Sequence, residues 1–213
     1  MCFSASASFI AGATLMIVGT TSIKKAKEPR LLPFASIPLI FGVQQITEGF
    51  VWLSLQNTDF AHWKHPATLS FLIFAQVVWP ALVPISMRIM EEKQVRKTAL
   101  SIISMIGIGV AAYLAYGIFF FPVDANAKTF HIEYELSSQK QMLFNSQPFY
   151  VTATVISAFV SSRKGMLLYG STILLSMIVS VVYFNQFVIS VWCFFAALLS
   201  VIGLYVIIKA KNN

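Results

Sequence analysis

The chain has 213 residues, of which 57% are hydrophobic and 11% are charged, and its formal net charge is +7. Soluble domains carry about 25% charged residues, so the composition excludes an ordinary water-solvated surface. It predicts an integral membrane protein, with the lipid bilayer as its first partner.

Seven segments are long and apolar enough, or nearly so, to cross the hydrocarbon as helices, which takes about 20 residues. In chain order they are 3–23, 31–55, 68–90, 98–121, 147–162, 165–184 and 187–208. They predict an all-α membrane protein, a seven-transmembrane helix bundle that forms a single integral membrane domain over 1–213. The fifth segment is short, and the alternative is six spans with 147–162 re-entrant.

The lysines and arginines predict the orientation, because they favour cytoplasmic connections close to the ends of spans. Twelve of the fifteen fall on one side: Lys24, Lys25, Lys27, Arg30, Arg88, Lys93, Arg96, Lys97, Arg163, Lys164, Lys209 and Lys211. The other side has Lys64, Lys128 and Lys140. Seven spans with the N-terminus outside and the C-terminus cytoplasmic fit this division. The basic residues are spread over four short segments, as orientation requires, so they argue against nucleic acid as a partner.

The outer connection between the fourth and fifth helices, 122–147, is longer than a simple turn. Within it "TFHIEYEL" alternates, with Phe130, Ile132, Tyr134 and Leu136 on one face. Period two is typical of a strand, and the following "QMLF" is the expected hairpin partner. We therefore expect a small β-hairpin that caps the outer end of the bundle.

The second predicted helix contains an acid and two amides in an otherwise apolar stretch, "FGVQQITEGFVW". Gln44 and Gln45 precede Glu48 by four and three residues, so all three share one helix face. Trp52 continues that face toward the outer end. Acids within a membrane usually face the bundle interior or a wet cavity and mark binding sites or pathways.

Other polar residues are expected at the same outer depth. Ser4, Ser8, Gln76 and Asn185 would line the wall of a polar pocket around Glu48, and Thr152, Thr154, Ser190 and Cys193 fall nearby. Ser4, Ser8 and Gly12 also form a small-residue stripe that lets another helix approach closely. The pattern favours an outward-facing pocket that binds a small solute, a proton or a cation, for transport or for sensing. The alternative is a hydrogen-bonded cluster that only fixes packing in a structural subunit.

A second function class rests on three histidines. His62 and His65 lie in the outer connection "HWKH", and His131 lies on the predicted strand. They supply nitrogen ligands for zinc or another divalent cation, as in a metal-dependent membrane hydrolase acting at the outer leaflet. Their spacing is not diagnostic, and a solvated loop with Trp63 as an interfacial anchor is the favoured interpretation. The sequence identifies no catalytic residue and favours a binding protein over an enzyme.

The opening "MCFSASASFIAGATLMIVG" and the later "PFASIPLIFGVQQITEGFVWLSL" resemble a bacterial family of small integral membrane proteins of unknown function. Its members begin with MCFSA and carry an FG-QQ-EG-VW element in the second helix. The resemblance implies residence in the bacterial cytoplasmic membrane. It also implies that Ser4, Gln44, Gln45, Glu48 and Trp52 belong to the family signature. It implies no activity, and neither a protein partner nor an oligomeric state follows from the sequence.

Overall fold

The computed structural model describes residues 4–128, 130–138 and 144–210, with side chains up to Tyr205. Helices dominate these residues, and each of the seven predicted segments is helical. In chain order the helices are α1 (Ala5–Lys25), α2 (Leu32–Ala35), α3 (Ile37–Gln56), α4 (Lys64–Leu72), α5 (Trp79–Met90), α6 (Gln94–Phe120), α7 (Gln147–Val151), α8 (Ser157–Val160), α9 (Met166–Tyr183) and α10 (Val188–Ala210).

Five helical stretches of the described chain are long and apolar enough to cross a membrane. They are Ala5–Lys25, Thr58–Met90, Gln94–Phe120, Met166–Tyr183 and Asn185–Tyr205. The stretch Gln147–Val160 is apolar but shorter. Helix α3 has 20 residues, but the two glutamines and the glutamate lower its hydropathy. The structure therefore supports a helical membrane protein without deciding between the seven-span and six-span counts.

The second predicted helix is interrupted near its start. Helix α2 ends at Ala35 and α3 begins at Ile37, with Ser36 between them. Pro38 has no backbone N–H to donate to the carbonyl four residues earlier, so the regular hydrogen-bond ladder cannot continue through this point.

Two other predicted helices contain a wider π-helical turn, in which the backbone bonds from i to i+5. Ile73–Val78 joins α4 to α5, and Thr152–Ile156 joins α7 to α8. The hydroxyl of Tyr150 donates to the carbonyl of Ala75, so the start of the second irregular segment is bonded directly to the first. These two turns lie on neighbouring helices of the bundle.

The connection after α6 forms an antiparallel hairpin of β1 (Val123–Lys128) and β2 (His131–Leu136), with Asp124 opposite Glu135. The strand prediction for β2 is confirmed, and the partner that the structure shows differs from the predicted "QMLF". The partner is the preceding segment "VDANAK", whereas 141–143 of "QMLF" lie outside the described residues. Ile132, Tyr134 and Leu136 point into the core, and Phe130 is exposed in the turn instead of sharing their face.

The hairpin covers one end of the helical bundle. Tyr134 stacks on Phe71 of α4 with ring centroids 4.6 Å apart. Both rings belong to the same buried cluster as Trp52, near the end of α3. The predicted cap over this end of the bundle is therefore present.

Helices α1 and α3 pack antiparallel at a distance that only small residues allow. A Cβ placed on Gly19 would lie 2.3 Å from the backbone nitrogen of Leu39. One on Gly12, in the predicted small-residue stripe, would lie 3.0 Å from the carbonyl oxygen of Gly42. The backbones of these two helices are therefore in direct contact.

Side-chain contacts group the connections at two ends of the bundle. At one end, Arg30 and Arg163 both pair with the carboxylate of Glu92, at 2.7 and 3.0 Å. These residues come from the connections after the first, third and fifth predicted helices. At the other end, Lys64 pairs with Asp124 at 2.7 Å. There, too, the ring of His131 stacks on Phe187, in the connection after the sixth predicted helix.

The end with Arg30 also contains a buried acid, Glu91, which is 2% exposed. Its carboxylate accepts hydrogen bonds from the hydroxyl and the backbone N–H of Ser162, both at 2.6 Å, and from the N–H groups of Glu92 and Lys93. Burial alone would raise the pKa of Glu91, but these donors stabilise the ionised form and leave the pKa below its ordinary value. Glu91 thereby fastens the α5–α6 connection to the segment that follows α8.

Candidate functional site

The three polar residues of α3 are the centre of the site. Gln44, Gln45 and Glu48 are all 0% exposed, although each carries groups that water would solvate. Their spacing places them along one side of the helix, as the sequence predicts. Since the backbone groups of a regular helix bond one another, these side chains need partners on other helices.

Glu48 is bonded to the last long helix. Its Oε1 accepts a hydrogen bond of 2.6 Å from the hydroxyl of Ser190, which is itself 0% exposed and lies in the first turn of α10. A hydrogen bond from a hydroxyl to an ionised carboxylate is shorter and stronger than a hydrogen bond between two neutral groups. Glu48 therefore ties the middle of α3 to the start of α10.

Gln44 is fixed by an aromatic neighbour. Its Oε1 accepts a hydrogen bond of 2.7 Å from the indole Nε1 of Trp79, the first residue of α5. Trp79 in turn stacks on Phe41, one turn before Gln44, with ring centroids 3.8 Å apart. The Gln44 amide also lies beside the thiol of Cys193, a weak acceptor.

Gln45 differs from its neighbour. Neither its Nε2 nor its Oε1 has a hydrogen-bond partner among residues 4–128, 130–138 and 144–210. Within the same part of the chain, the buried hydroxyl of Ser8 and the buried indole Nε1 of Trp52 also lack partners. Buried polar groups in folded proteins are almost always bonded to protein, water or a ligand. The Gln45 amide is thus a buried donor group and a buried acceptor oxygen that the described chain leaves unbonded.

The other predicted wall residues have different placements. Ser8 is buried, whereas Ser4 caps α1, its hydroxyl accepting from the N–H of Ala7 at 3.2 Å. Gln76 is half-buried within the first π-helical turn, and Asn185 is exposed in the turn between α9 and α10. The structure thus groups Gln44, Gln45 and Glu48 in the interior and leaves Asn185 at the surface. Whether any of them binds a ligand stays a prediction.

Access to this cluster is closed in the structure. The fully buried state of Gln44, Gln45 and Glu48 means that the expected outward-facing pocket is not open in this conformation. Trp52, 1% exposed, lies between Glu48 and the end of α3, and the β-hairpin packs beyond it. A ligand would reach Glu48 only after these groups move.

Three partners in the site were not selected from the sequence. Ser190 and Cys193 were noted there only for their depth, and Trp79 was not among the expected site residues. Depth is available from a predicted topology, but the choice of neighbouring helices is not. The signal that could have found Trp79 is an indole N–H, which needs an acceptor when it is buried in an apolar bundle.

The three histidines predicted as metal ligands do not lie together in the structure. His62 and His65 are exposed, and the half-buried His131 packs against Phe184 and Phe187. Burial lowers the pKa of His131, because desolvation disfavours the charged imidazolium. In the described parts of the chain, no three His, Cys, Asp or Glu side chains come together as a metal site. The zinc hypothesis stays an untested prediction without a ligand set.

The chain was compared with protein families, curated proteins and solved structures. No curated protein and no solved structure matches it. One family model, described as "Family of unknown function (DUF6629)", matches residues 1–213. The chain therefore belongs to this family of unknown function.

Proposed function

We propose that the chain crosses a bacterial cytoplasmic membrane seven times, with the N-terminus outside and the C-terminus in the cytoplasm. The contacts at the two ends support this count, because the first, third and fifth connections meet through Arg30, Glu92 and Arg163. The second and fourth meet through Lys64 and Asp124, and the fourth and sixth through His131 and Phe187. If the fifth helix turned back, Arg163 would lie on the side of Asp124, so these contacts favour seven crossings. The lysine and arginine distribution supports the orientation.

Reporter fusions test this topology. A green fluorescent protein fused after Asn213 should fluoresce, whereas alkaline phosphatase fused there should be inactive. Alkaline phosphatase inserted between Pro122 and Val123 should be active, because that connection is outside. The reverse pattern at either position would overturn the proposed orientation.

We infer that the protein binds a small solute, a proton or a cation at Glu48. The observation that carries this function is the Gln45 amide, which is fully buried beside Glu48 with both polar atoms lacking a partner in the described chain. Leaving such atoms unbonded costs about 1–3 kcal/mol each. An occupant that bonds Gln45 and interacts with Glu48 removes that cost. The hydrogen bond from Ser190 would hold the Glu48 carboxyl in place.

Binding or sensing suits this architecture better than continuous transport. Large apolar side chains fill the cytoplasmic part of the bundle, and Phe34, Met87, Met90 and Leu100 are at most 2% exposed. A transported solute would have to displace them, whereas a ligand that only binds needs no path there. Flux into proteoliposomes distinguishes the two, and we expect binding without flux.

Thermal unfolding of the detergent-purified protein tests the site. We would compare wild type, Glu48→Gln and Glu135→Gln across pH with a panel of cations and small solutes. Glu135 is an exposed hairpin acid, so Glu135→Gln is the same chemical change outside the site. A ligand that binds only the folded state raises stability by mass action.

We expect at least one condition to stabilise wild type and Glu135→Gln by several degrees and Glu48→Gln by less than one degree. If the ligand is a proton, the stability of wild type and Glu135→Gln should depend on pH in the same way, and that of Glu48→Gln should not. If all three proteins respond alike to every pH and additive, Glu48 is a packing residue and the proposed function is wrong.

A further inference from the structure

A cavity of about 40 Å³ lies between α3, α5, the α7–α8 segment, α9 and α10. Aromatic rings form most of its wall: those of Phe41, Trp79, Tyr150, Tyr169 and Trp192. Neither Gln44, Gln45 nor Glu48 lines it, although Thr154 and Cys193, which the sequence places near the Glu48 site, do. Trp79 and Cys193 line it and also contact Gln44, so this chamber lies beside the buried Glu48 site.

The two π-helical turns border this chamber. Trp79 directly follows the turn Ile73–Val78, and Thr154 lies within the turn Thr152–Ile156. A π turn is rare and frequently occurs at functional sites, and its extra residue displaces side chains from their regular helical positions. Two such turns facing one cavity indicate a built chamber, in contrast to a gap left by imperfect packing.

The hydroxyls of Tyr150 and Thr154 at the chamber already donate to the carbonyls of Ala75 and Tyr150. The indole Nε1 of Trp192 is buried and has no acceptor in the described part of the chain. On the far side of Trp79, the Nε2 of Gln44 likewise has no oxygen or nitrogen acceptor among these residues. A buried donor without an acceptor is unfavourable, so the occupant that fits supplies a lone pair at Trp192.

Two other occupants fit less well. An organic cation is attracted to aromatic faces, but it has no lone pair for Trp192, and Phe41 already covers one face of Trp79. Water accepts from Trp192, but several waters would be needed to fill the cavity, and each needs two to four polar partners that the largely apolar wall does not supply.

We propose that this chamber binds a small neutral organic molecule with an apolar body and one carbonyl or hydroxyl oxygen that accepts a hydrogen bond from Trp192. A single water-sized occupant takes about 10–15 Å³ of such a cavity, so a molecule of about three or four non-hydrogen atoms fits without rearrangement. The chamber and its test are independent of ligand binding at Glu48.

Indole nitrogen–proton correlation spectra of the purified protein in detergent micelles test this directly. The probes are acetone and isobutene, which have the same shape but differ in the acceptor oxygen, and trimethylammonium as the cation. Trp192→Phe assigns the Trp192 signal. Trp63, 44% exposed, is the internal control for solvent and micelle effects.

We expect acetone to shift the Trp192 signal saturably and to leave Trp63 with only a linear change. Isobutene should not produce the hydrogen-bond shift. In saturation-transfer experiments, Trp192→Phe should lower the ratio of acetone to isobutene affinity at least fivefold.

Ala196→Leu, which adds bulk to the chamber wall, should weaken both probes and is a second variant if Trp192→Phe does not fold. The proposal is overturned if acetone gives no saturable shift at Trp192, if isobutene gives the same shift, or if trimethylammonium binds in preference to both.

Discussion

The hydroxyl of Ser190 donates a 2.6 Å hydrogen bond to the carboxyl of Glu48, between residues 142 positions apart in the chain. Both side chains are fully buried, so water cannot replace the bond if it is lost. This contact joins α3 to α10, and it makes Glu48 part of a tertiary interaction whatever ligand it binds.

Ser190→Ala should therefore destabilise the protein. Glu48 would keep its burial but lose a donor, which costs about 1–3 kcal/mol. Equilibrium unfolding in mixed micelles measures the change. Ser171→Ala is the matched control, because Ser171 is exposed on α9 and its loss should stay within about 0.5 kcal/mol. Equal losses in the two variants would show that the Ser190 bond does not contribute.

The bond between Trp79 and Gln44 should show energetic coupling. Trp79→Phe leaves the Gln44 oxygen buried without its donor, with an expected cost of about 1–3 kcal/mol. Gln44→Leu together with Trp79→Phe removes both partners, so the double variant should lose less than the sum of the single variants. A double-mutant cycle should give a coupling energy of about 0.5–3 kcal/mol. Additive losses would argue against the bond.

Two glycines should respond in opposite ways to the same substitution. In Gly19→Ala the new Cβ meets the backbone of Leu39 at 2.3 Å, so α1 and α3 must separate and stability should fall by about 1–3 kcal/mol or more. In Gly109→Ala nothing lies within 4 Å of the new Cβ. The higher helix propensity of alanine should then leave stability unchanged or raise it by up to about 1 kcal/mol. Thermal unfolding of the two variants side by side decides this.

Glu91 should make stability depend on acidic pH. Its folded pKa is depressed, so its contribution is present above the ordinary value of 4.5 and is lost as the pH falls through the folded pKa. Wild type should lose stability below about pH 4.5. Glu91→Gln should be less stable than wild type at neutral pH and should lose less stability as the pH falls. Unfolding curves from pH 3 to pH 7 measure this. Glu135→Gln, with its exposed acid, should keep the wild-type profile.

The sequence predicted the helices because hydrophobic length is a local property that needs no knowledge of neighbours. The same holds for the shared helix face of Gln44, Gln45 and Glu48, since residues three and four apart lie on one side of a helix. Strand β2 was predictable from its alternation. Its partner was not, because "VDANAK" is rich in small and polar residues that rarely form strands.

What the sequence could not predict depends on which helices become neighbours. Ser190 meets Glu48, and Trp79 meets Gln44, only because α10 and α5 pack beside α3. Asn185 was expected in the pocket from its depth alone, but the short turn that it begins faces outward and leaves it exposed. The π-helical turns also escape sequence periodicity, because one additional residue in a turn leaves the apolar pattern almost unchanged.

The pairing of Arg30 and Arg163 with one carboxylate, Glu92, has a mechanical consequence. These ion pairs hold the helices together at one end. A small change in the tilt of a helix about that end therefore gives a larger displacement at its opposite end. At 1.5 Å per residue, α3 is about 30 Å long, and a tilt of about 5° moves its far end by about 2.5 Å. The stacking contact between the rings of Phe71 and Tyr134 lies at that far end. Motion that leaves the paired end intact is therefore greatest where the hairpin closes over Trp52.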